Sequence, residues 1–289
     1  MPFISKKKQE LEAKIIQKSV EFRERDNINE AINCHYELLH KLYLTNTLYF
    51  KTISKANRFI IGSAILGIYY TRNGCTFKDI KRFCITNDLL SINALASFLL
   101  FLRVGGRLEV YRDESDKRKL NYKPTAKALT EAKEMINTML IPCAMLSAND
   151  RFNLDYYQND QNFVPAFFKS YAGITLNRIF IHDMVPGSDV FLSRDGGHMI
   201  MFNLYLESVK QKTLDVNYNF LKASFSCGVS RSHIRRCLQA AEQKQLLTMV
   251  ENQHIVSLTP AFIQLVKDYF ALYLASVKHG LTGMQAEDE

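Results

Sequence analysis

Apolar residues recur every three or four positions along most of the chain, a spacing that predicts a mainly helical protein. The pattern changes to alternation in short stretches such as 107–111, which predicts small β-hairpins. The 12 glycines and 6 prolines are too few for a β-rich protein with a turn every ten residues. We therefore expect a mainly α fold with small β-hairpins.

The same order of predicted elements occurs twice along the chain. In the first copy, helices at 57–71, 77–84 and 91–104 precede strands at 107–111 and 120–123 and a closing helix that starts at Pro124. In the second copy, helices at 199–211, 218–226 and 230–244 precede strands at 246–250 and 254–258 and a closing helix from Pro260 to about 280. This order is that of a winged helix-turn-helix domain, so the sequence predicts two such domains in tandem.

The repeats divide the chain into five parts. We expect N-terminal helices at 1–56, winged helix-turn-helix domains at 57–140 and 195–279, a helical connector between them at 141–194, and an acidic tail at 280–289. The N-terminal helices are predicted at 6–25 and 28–55, packing on the connector or forming a dimer interface. The whole chain could also form a homodimer.

The net charge of +8 is concentrated in the two repeats. Residues 57–140 contain 14 basic and 8 acidic side chains, and residues 195–279 contain 9 and 6. The connector contains 4 basic and 5 acidic side chains. A basic excess in both repeats, with a near-neutral connector between them, is typical of a polyanionic partner, and double-stranded DNA is the partner we expect.

The helix predicted at 230–244 is the strongest candidate for reading DNA bases. Ile234, Leu238 and Ala241 fall on one face, which should pack inward. The polar side chains at its start would then face a major groove, where arginine contacts guanine edges. The candidate residues of this helix are Ser230, Arg231, Ser232, His233, Arg235 and Arg236. A basic helix face exposed to solvent is the alternative.

The first repeat offers a different set of candidates. The helix at 91–104 is apolar on most sides, which is typical of a buried or partner-binding helix, and only Ser91, Asn93 and Ser97 could read bases. Its hairpin and short helix are more basic and could contact phosphates, with a solvated hairpin as the alternative. These candidates are Arg112, Lys117, Arg118 and Lys119 on the hairpin, and Lys78, Lys81 and Arg82 on the helix.

Two short motifs resemble the MarR-type winged-helix regulators. The segment 256–260, Val-Ser-Leu-Thr-Pro before a helix, is similar to that family's wing-to-helix junction, and the acidic–basic hairpin 113–118 with Thr125 is similar to its wing. The resemblance implies that Arg118 enters a minor groove. This chain departs from the family in holding two such domains, which implies a pseudo-dimer within one chain, and in having Ala128 where a glycine is common.

Other features point to no catalytic or metal site. Cys227 and Cys237 are expected to be small buried side chains, His35 and His40 have poor spacing for metal binding, and no nucleotide-binding or hydrolase motif is present. Six scattered cysteines and the lack of a signal peptide or long apolar span favour the cytoplasm. Eight aromatic residues at 152–180 could pack as helical core or line a pocket for a small-molecule effector.

The sequence thus predicts a non-enzymatic, cofactor-free DNA-binding regulator of transcription. Two other functions stay open at this point. A plasmid-type replication initiator also uses tandem winged helices and would bind repeated origin sites. A winged-helix assembly subunit would bind a protein partner, which the apolar helix at 91–104 favours.

Overall fold

The computed structural model describes residues 6–72, 75–147, 157, 162–250 and 254–285. It is mainly helical with two small antiparallel sheets, which confirms the coarse fold class. Three helices come first, α1 (Lys6–Arg23), α2 (Ile28–Thr45) and α3 (Thr47–Ile53). The predicted single helix at 28–55 was wrong, because the Asn46 side chain accepts a hydrogen bond from the Tyr49 N–H and starts a new helix there.

The first repeat has the predicted order of elements. Helices α4 (Ala56–Thr71), α5 (Phe77–Thr86) and α6 (Ile92–Val104) precede strands β1 (Leu108–Arg112) and β2 (Leu120–Pro124), and α7 (Ala126–Leu146) follows. The closing helix does not start at Pro124, which instead pairs with Leu108 in the hairpin. Thr125 caps α7 by accepting from the Ala128 N–H at 3.2 Å, a role that proline cannot fill.

Within residues 162–195, the described chain forms the helices α8 (Phe163–Leu176), α9 (Ile181–Met184) and α10 (Asp189–Leu192). The second repeat then comprises α11 (Gly197–Gln211), β3 (Asp215–Asn217), α12 (Phe220–Cys227), α13 (Arg231–Gln243), β4 (Leu247–Val250), β5 (Ile255–Leu258) and α14 (Pro260–Gln285). Strand β3 was not predicted. It pairs with β5, so the second sheet has three strands in the order β3-β5-β4.

Local sequence signals fix the ends of the repeat helices. Ser91 accepts a hydrogen bond from the Ala94 N–H at 3.3 Å, and Ser230 accepts one from the His233 N–H at 3.2 Å. Gly106 follows α6 at φ +71° and Gly228 follows α12 at φ +63°, conformations that a side chain would disfavour. Both long repeat helices thus start within one residue of the predicted positions, directly after a capping serine.

The last helix, α14, lies at the centre of the core. It packs against α1, α7 and α8, and its side chains from Phe262 to Leu281 are buried on most sides. It does not end near Gly280 as predicted. A Cβ at Gly280 would lie 2.6 Å from the Phe167 ring, so this glycine permits close helix packing rather than ending the helix.

Helix α2 connects the two repeats through polar contacts. Asn27, directly before α2, donates to the Met145 carbonyl of α7 at 3.0 Å. On its other side, Asn203 of α11 donates to the Tyr36 hydroxyl at 2.9 Å, and Tyr218 donates to Asn203 at 2.9 Å. The N-terminal helices are therefore part of the same core as the repeats.

Candidate nucleic-acid interface

Helix α13 has one fully buried face and one polar exposed face. Ile234, Cys237, Leu238 and Ala241 are each 0% exposed, which confirms the predicted inward orientation of this face. The opposite face exposes Arg231, Ser232, Arg235 and Arg236 together with Gln239 and Gln243. The helix therefore presents hydrogen-bonding side chains to solvent over about three turns.

The start of α13 borders an open cleft of about 640 Å³. One wall consists of Ser230, Arg231, Ser232 and Arg235. The other residues of the cleft come from the β3–α12 segment and from the position directly before β5. They are Asn217, Asn219, Phe220, Leu221 and His254. The Arg235 guanidinium lies over the Phe220 ring at 4.8 Å, a cation–π contact that holds this arginine at the edge of the cleft.

Asn217 and Asn219 are members of this cleft that sequence reasoning missed. Asn217 ends β3, a strand too short to give a clear alternating pattern. Asn219 caps α12 by accepting from the Lys222 N–H at 2.9 Å. Asn219 is the second residue of the helix predicted at 218–226, so an asparagine near that predicted start was the available signal for a helix cap. Their amides add donors and acceptors beside the arginines.

The predicted residues of α13 do not all face the cleft. The Ser230 hydroxyl lies 3.0 Å from the Ser232 hydroxyl, and it also caps the helix by accepting from the His233 N–H. His233 is half-buried and its Nε2 has no hydrogen-bond partner among the described residues. Burial lowers the pKa of His233, and Arg236 and Arg194 act in the same direction. The imidazole therefore belongs to the inner side of the helix, and the other five candidates to its surface.

The hairpin between β1 and β2 is ordered by one carboxylate. Asp113 accepts hydrogen bonds from the Ser115 N–H and hydroxyl, the Asp116 N–H and the Asn121 amide. These bonds hold the pKa of Asp113 well below its usual range. Arg112 donates to the Lys117 carbonyl at 2.8 Å and so spans the tip.

This ordering exposes three consecutive cations. Lys117, Arg118 and Lys119 are all exposed at the tip of the hairpin. The second hairpin cannot be compared, because its predicted tip at 251–253 lies outside the described residues. The first repeat thus presents its basic side chains on a loop, and the second on a helix.

Helix α5 adds a second basic surface to the first repeat. Lys78, Lys81 and Arg82 are exposed along it. Thr76 and Asp79 form a reciprocal capping box that fixes where the helix begins. The three cations are therefore spaced over about one turn of an ordered helix.

Helix α6 differs from its counterpart α13. Ser91, Asn93 and Ser97 are exposed, but the Ser91 hydroxyl caps the helix and Ser97 donates to the Asn93 carbonyl at 2.9 Å. Of the two interpretations of this apolar helix, buried or partner-binding, burial on most sides does not hold. Ile92, Leu100 and Val104 are 56%, 58% and 79% exposed, so α6 presents apolar side chains where α13 presents arginines.

The cysteines and the connector aromatics lie in the core. Cys227 and Cys237 are fully buried, as predicted, and burial raises the pKa of Cys237 to about 12. Phe163, Phe167, Phe168, Tyr171 and Phe180 are buried, whereas Phe152 and Tyr156 lie outside the described residues. Among the described residues, no three His, Cys, Asp or Glu side chains form a potential metal site, and no helix could cross a membrane.

Comparisons with known proteins give no relative for this chain. No protein-family model, no curated protein and no solved structure matches it. Functional inference therefore depends on the surfaces described above.

Proposed function

We propose that the chain is a cytoplasmic, sequence-specific regulator of transcription that binds double-stranded DNA through two winged helix-turn-helix domains, as an intrachain pseudo-dimer. The observation that carries this proposal is the exposed row of Arg231, Ser232, Arg235 and Arg236 at the N-terminal end of α13, directly after a glycine turn. Arginine at this end of a recognition helix is suited to bidentate contact with guanine in the major groove.

The first repeat contributes affinity rather than base recognition. The exposed hairpin cations Lys117, Arg118 and Lys119 suit phosphates or a narrow minor groove, which attracts basic side chains. Helix α5 adds three further cations for phosphate contact. Six free cysteines are consistent with a reducing compartment.

The test is selection of DNA ligands from random sequence, followed by binding measurements on the enriched site at several salt concentrations. Arg235→Ala with Arg236→Ala should weaken specific binding at least tenfold, because each bidentate arginine contributes about 1–3 kcal/mol. The same change should reduce the dependence of log K on log salt by about one for each phosphate that the protein no longer neutralises.

A matched control removes two cations elsewhere. Lys7 and Lys14 are exposed on α1, and Lys14 lies near His279, about 30 Å along α14 from its start at Pro260. Lys7→Ala with Lys14→Ala lowers the net charge equally and should leave specific binding within twofold. Equal reductions in affinity in both variants would show that only overall charge matters. The proposed role of α13 in base recognition would then be rejected.

A second candidate function is supported by α6. Its exposed Ile92, Leu100 and Val104 form an apolar surface that suits a protein partner better than DNA. In that case the chain would be an assembly subunit. Absence of any enriched DNA sequence, together with loss of a co-purifying partner in Leu100→Glu, would favour it over the regulator.

A further inference from the structure

The exposed apolar side chains of α6 form one continuous row. They recur at every fourth position from 92 to 104, and they are Ile92, Ala96, Leu100 and Val104. Residues four positions apart lie on the same face of a helix, so these four side chains make a single ridge, which we call the α6 ridge. Its three large side chains are each more than half exposed. Contiguous apolar surface of this kind marks an interaction site.

The α6 ridge has no charge along it. Arg103 is the only ionisable side chain of α6, and it lies near the C-terminal end of the helix. The exposed polar side chains beside the ridge, Asn93 and Ser97, are neutral. A highly charged partner would lose hydration here without gaining an opposite charge. The fitting partner is a second apolar and uncharged ridge, and α6 of a second copy of this chain provides one.

Side-chain sizes along the α6 ridge are complementary to the same ridge in the reversed direction. Ridges of this kind interlock in helix pairs that cross at about −50°. When two copies of α6 pair antiparallel about a two-fold axis near position 98, Ala96 of each copy lies beside Leu100 of the other. The small side chain leaves the space that the large one fills. At both ends of the contact, Ile92 of one copy lies beside Val104 of the other.

Arg103 favours the antiparallel direction. In a parallel pair about a two-fold axis, the two Arg103 guanidinium groups would meet and repel each other. In the antiparallel pair they are about 15 Å apart along the helices, which exceeds the screening length of about 8 Å at physiological salt. Each then lies beside Asn93 of the other copy, whose amide oxygen is an acceptor for the guanidinium group.

We propose that the α6 ridge is a self-association surface, through which two copies of the chain pair in an antiparallel arrangement. This contact joins two chains, whereas the pseudo-dimer proposed above lies within one chain, and it does not depend on DNA binding. The helix has 13 residues and a length of about 20 Å, so one helix from each copy buries less than the roughly 1,200 Å² at the lower end of stable interfaces. Self-association is therefore weak and depends on protein concentration in the micromolar range.

Sedimentation equilibrium of the full chain over a series of protein concentrations tests the surface. The native chain should show a reversible monomer–dimer equilibrium. Each copy has a net charge of +8, so the dissociation constant of the dimer should fall as added salt screens the repulsion between copies.

Two variants with the same change in charge locate the contact. Leu100→Glu should raise the dissociation constant at least tenfold, because the dimer would bury a carboxylate against an apolar neighbour. Leu44→Glu on α2 changes a leucine of similar exposure outside the ridge, and it should leave the dissociation constant within twofold. Both leucines are exposed, so neither change removes a core contact.

Three results would overturn the proposal. The first is a native chain that stays monomeric up to its solubility limit. The second is equal weakening by Leu100→Glu and Leu44→Glu, which would place self-association on another surface. The third is a monomeric chain that binds a different protein through α6, which would support the assembly subunit instead.

A double variant tests the antiparallel direction. Ile92→Glu and Val104→Lys should each weaken self-association at least threefold, since each brings a charge to an apolar contact. In the antiparallel pair, a chain with both changes places the new carboxylate beside the new amine of the other copy at both ends. It should therefore dimerise at least threefold more tightly than either single variant. In a parallel pair, like charges would meet at each end, and a double variant weaker than both single variants would reject the antiparallel arrangement.

Discussion

Arg107 is the residue whose role departs furthest from its position in the sequence pattern. It precedes a hairpin strand, where a surface arginine would be ordinary, yet it is only 5% exposed. Its guanidinium makes two hydrogen bonds of 2.6 Å to the Glu131 carboxylate and lies 3.6 Å from the Tyr49 ring. One side chain thus joins the base of the first hairpin to α7 and to α3.

Breaking this pair should be costly. Arg107→Ala leaves the Glu131 carboxylate, which is only 11% exposed, without a partner, and we expect it to lower the free energy of unfolding by about 3–5 kcal/mol. Arg107→Met with Glu131→Leu removes both charges and should cost far less. Urea denaturation of each single variant and of the double variant measures the interaction free energy between the two side chains. Additive effects on the free energy of unfolding would show that the two side chains do not act as a pair.

His35 makes stability depend on pH. It is fully buried, its Nδ1 donates to the Thr138 carbonyl at 2.9 Å, and its Nε2 has no partner among the described residues. Burial lowers the pKa of His35 to about 4. In the unfolded chain the imidazole takes up a proton near its ordinary pKa of about 6.5, while the folded protein stays neutral. Stability should therefore fall as the pH drops from 6.5 towards 4.

The expected slope is at most about 1.4 kcal/mol per pH unit from His35, and His198 acts in the same direction. His35→Phe should flatten the stability curve between pH 6.5 and 4, as measured by urea denaturation at each pH. Phe202→Leu, which changes a ring packed on His35, should lower stability by the same amount at every pH. If the stability of His35→Phe fell with pH as steeply as that of the native chain, the pH dependence could not be assigned to His35.

At the scale of elements, periodicity and caps predicted most helices correctly. Ile234, Leu238 and Ala241 recur at helical spacing, and Ser230 marks the start of the helix, so both signals lie within a few residues of each other. Apart from the helix starts at Asn46 and Thr125, the errors concern contacts between distant residues. The pairing of β3 with β5, the contact of Gly280 with Phe167 and the pairing of Arg107 with Glu131 have no local signature.

The same distinction applies to the candidate interface. The exposed face of α13 follows from its own sequence. Its apolar positions lie on one side and pack inward, so the arginines on the opposite side face solvent. The apolar surface of α6 does not follow from its sequence, since an apolar position is buried only if a neighbour covers it. Leu99 is covered and Leu100 is not, although the two residues are chemically identical.

At the scale of the whole molecule, α2 and α14 fix the two repeats in one body. Asn27 and Tyr36 connect α2 to the first and second repeats, and α14 packs on α7 of the first repeat while closing the second. A rigid connection makes the second binding event intramolecular when two surfaces contact one duplex, which raises affinity without new contacts. A flexible connection between the repeats would give a smaller increase in affinity.

This rigidity leads to a prediction for the two basic surfaces on one DNA molecule. Replacing Lys117, Arg118 and Lys119 with alanine should reduce the slope of log K against log salt by up to about three on a full-length selected site. This reduction should add to the one caused by Arg235→Ala with Arg236→Ala. On a duplex trimmed to one half-site, where the α13 surface alone engages, the hairpin variant should bind like the native chain. Salt-titrated anisotropy on both duplexes measures this. If the hairpin variant were weakened as much on the short duplex as on the long one, the two surfaces would be contacting the same few base pairs, and the pseudo-dimer arrangement would be excluded.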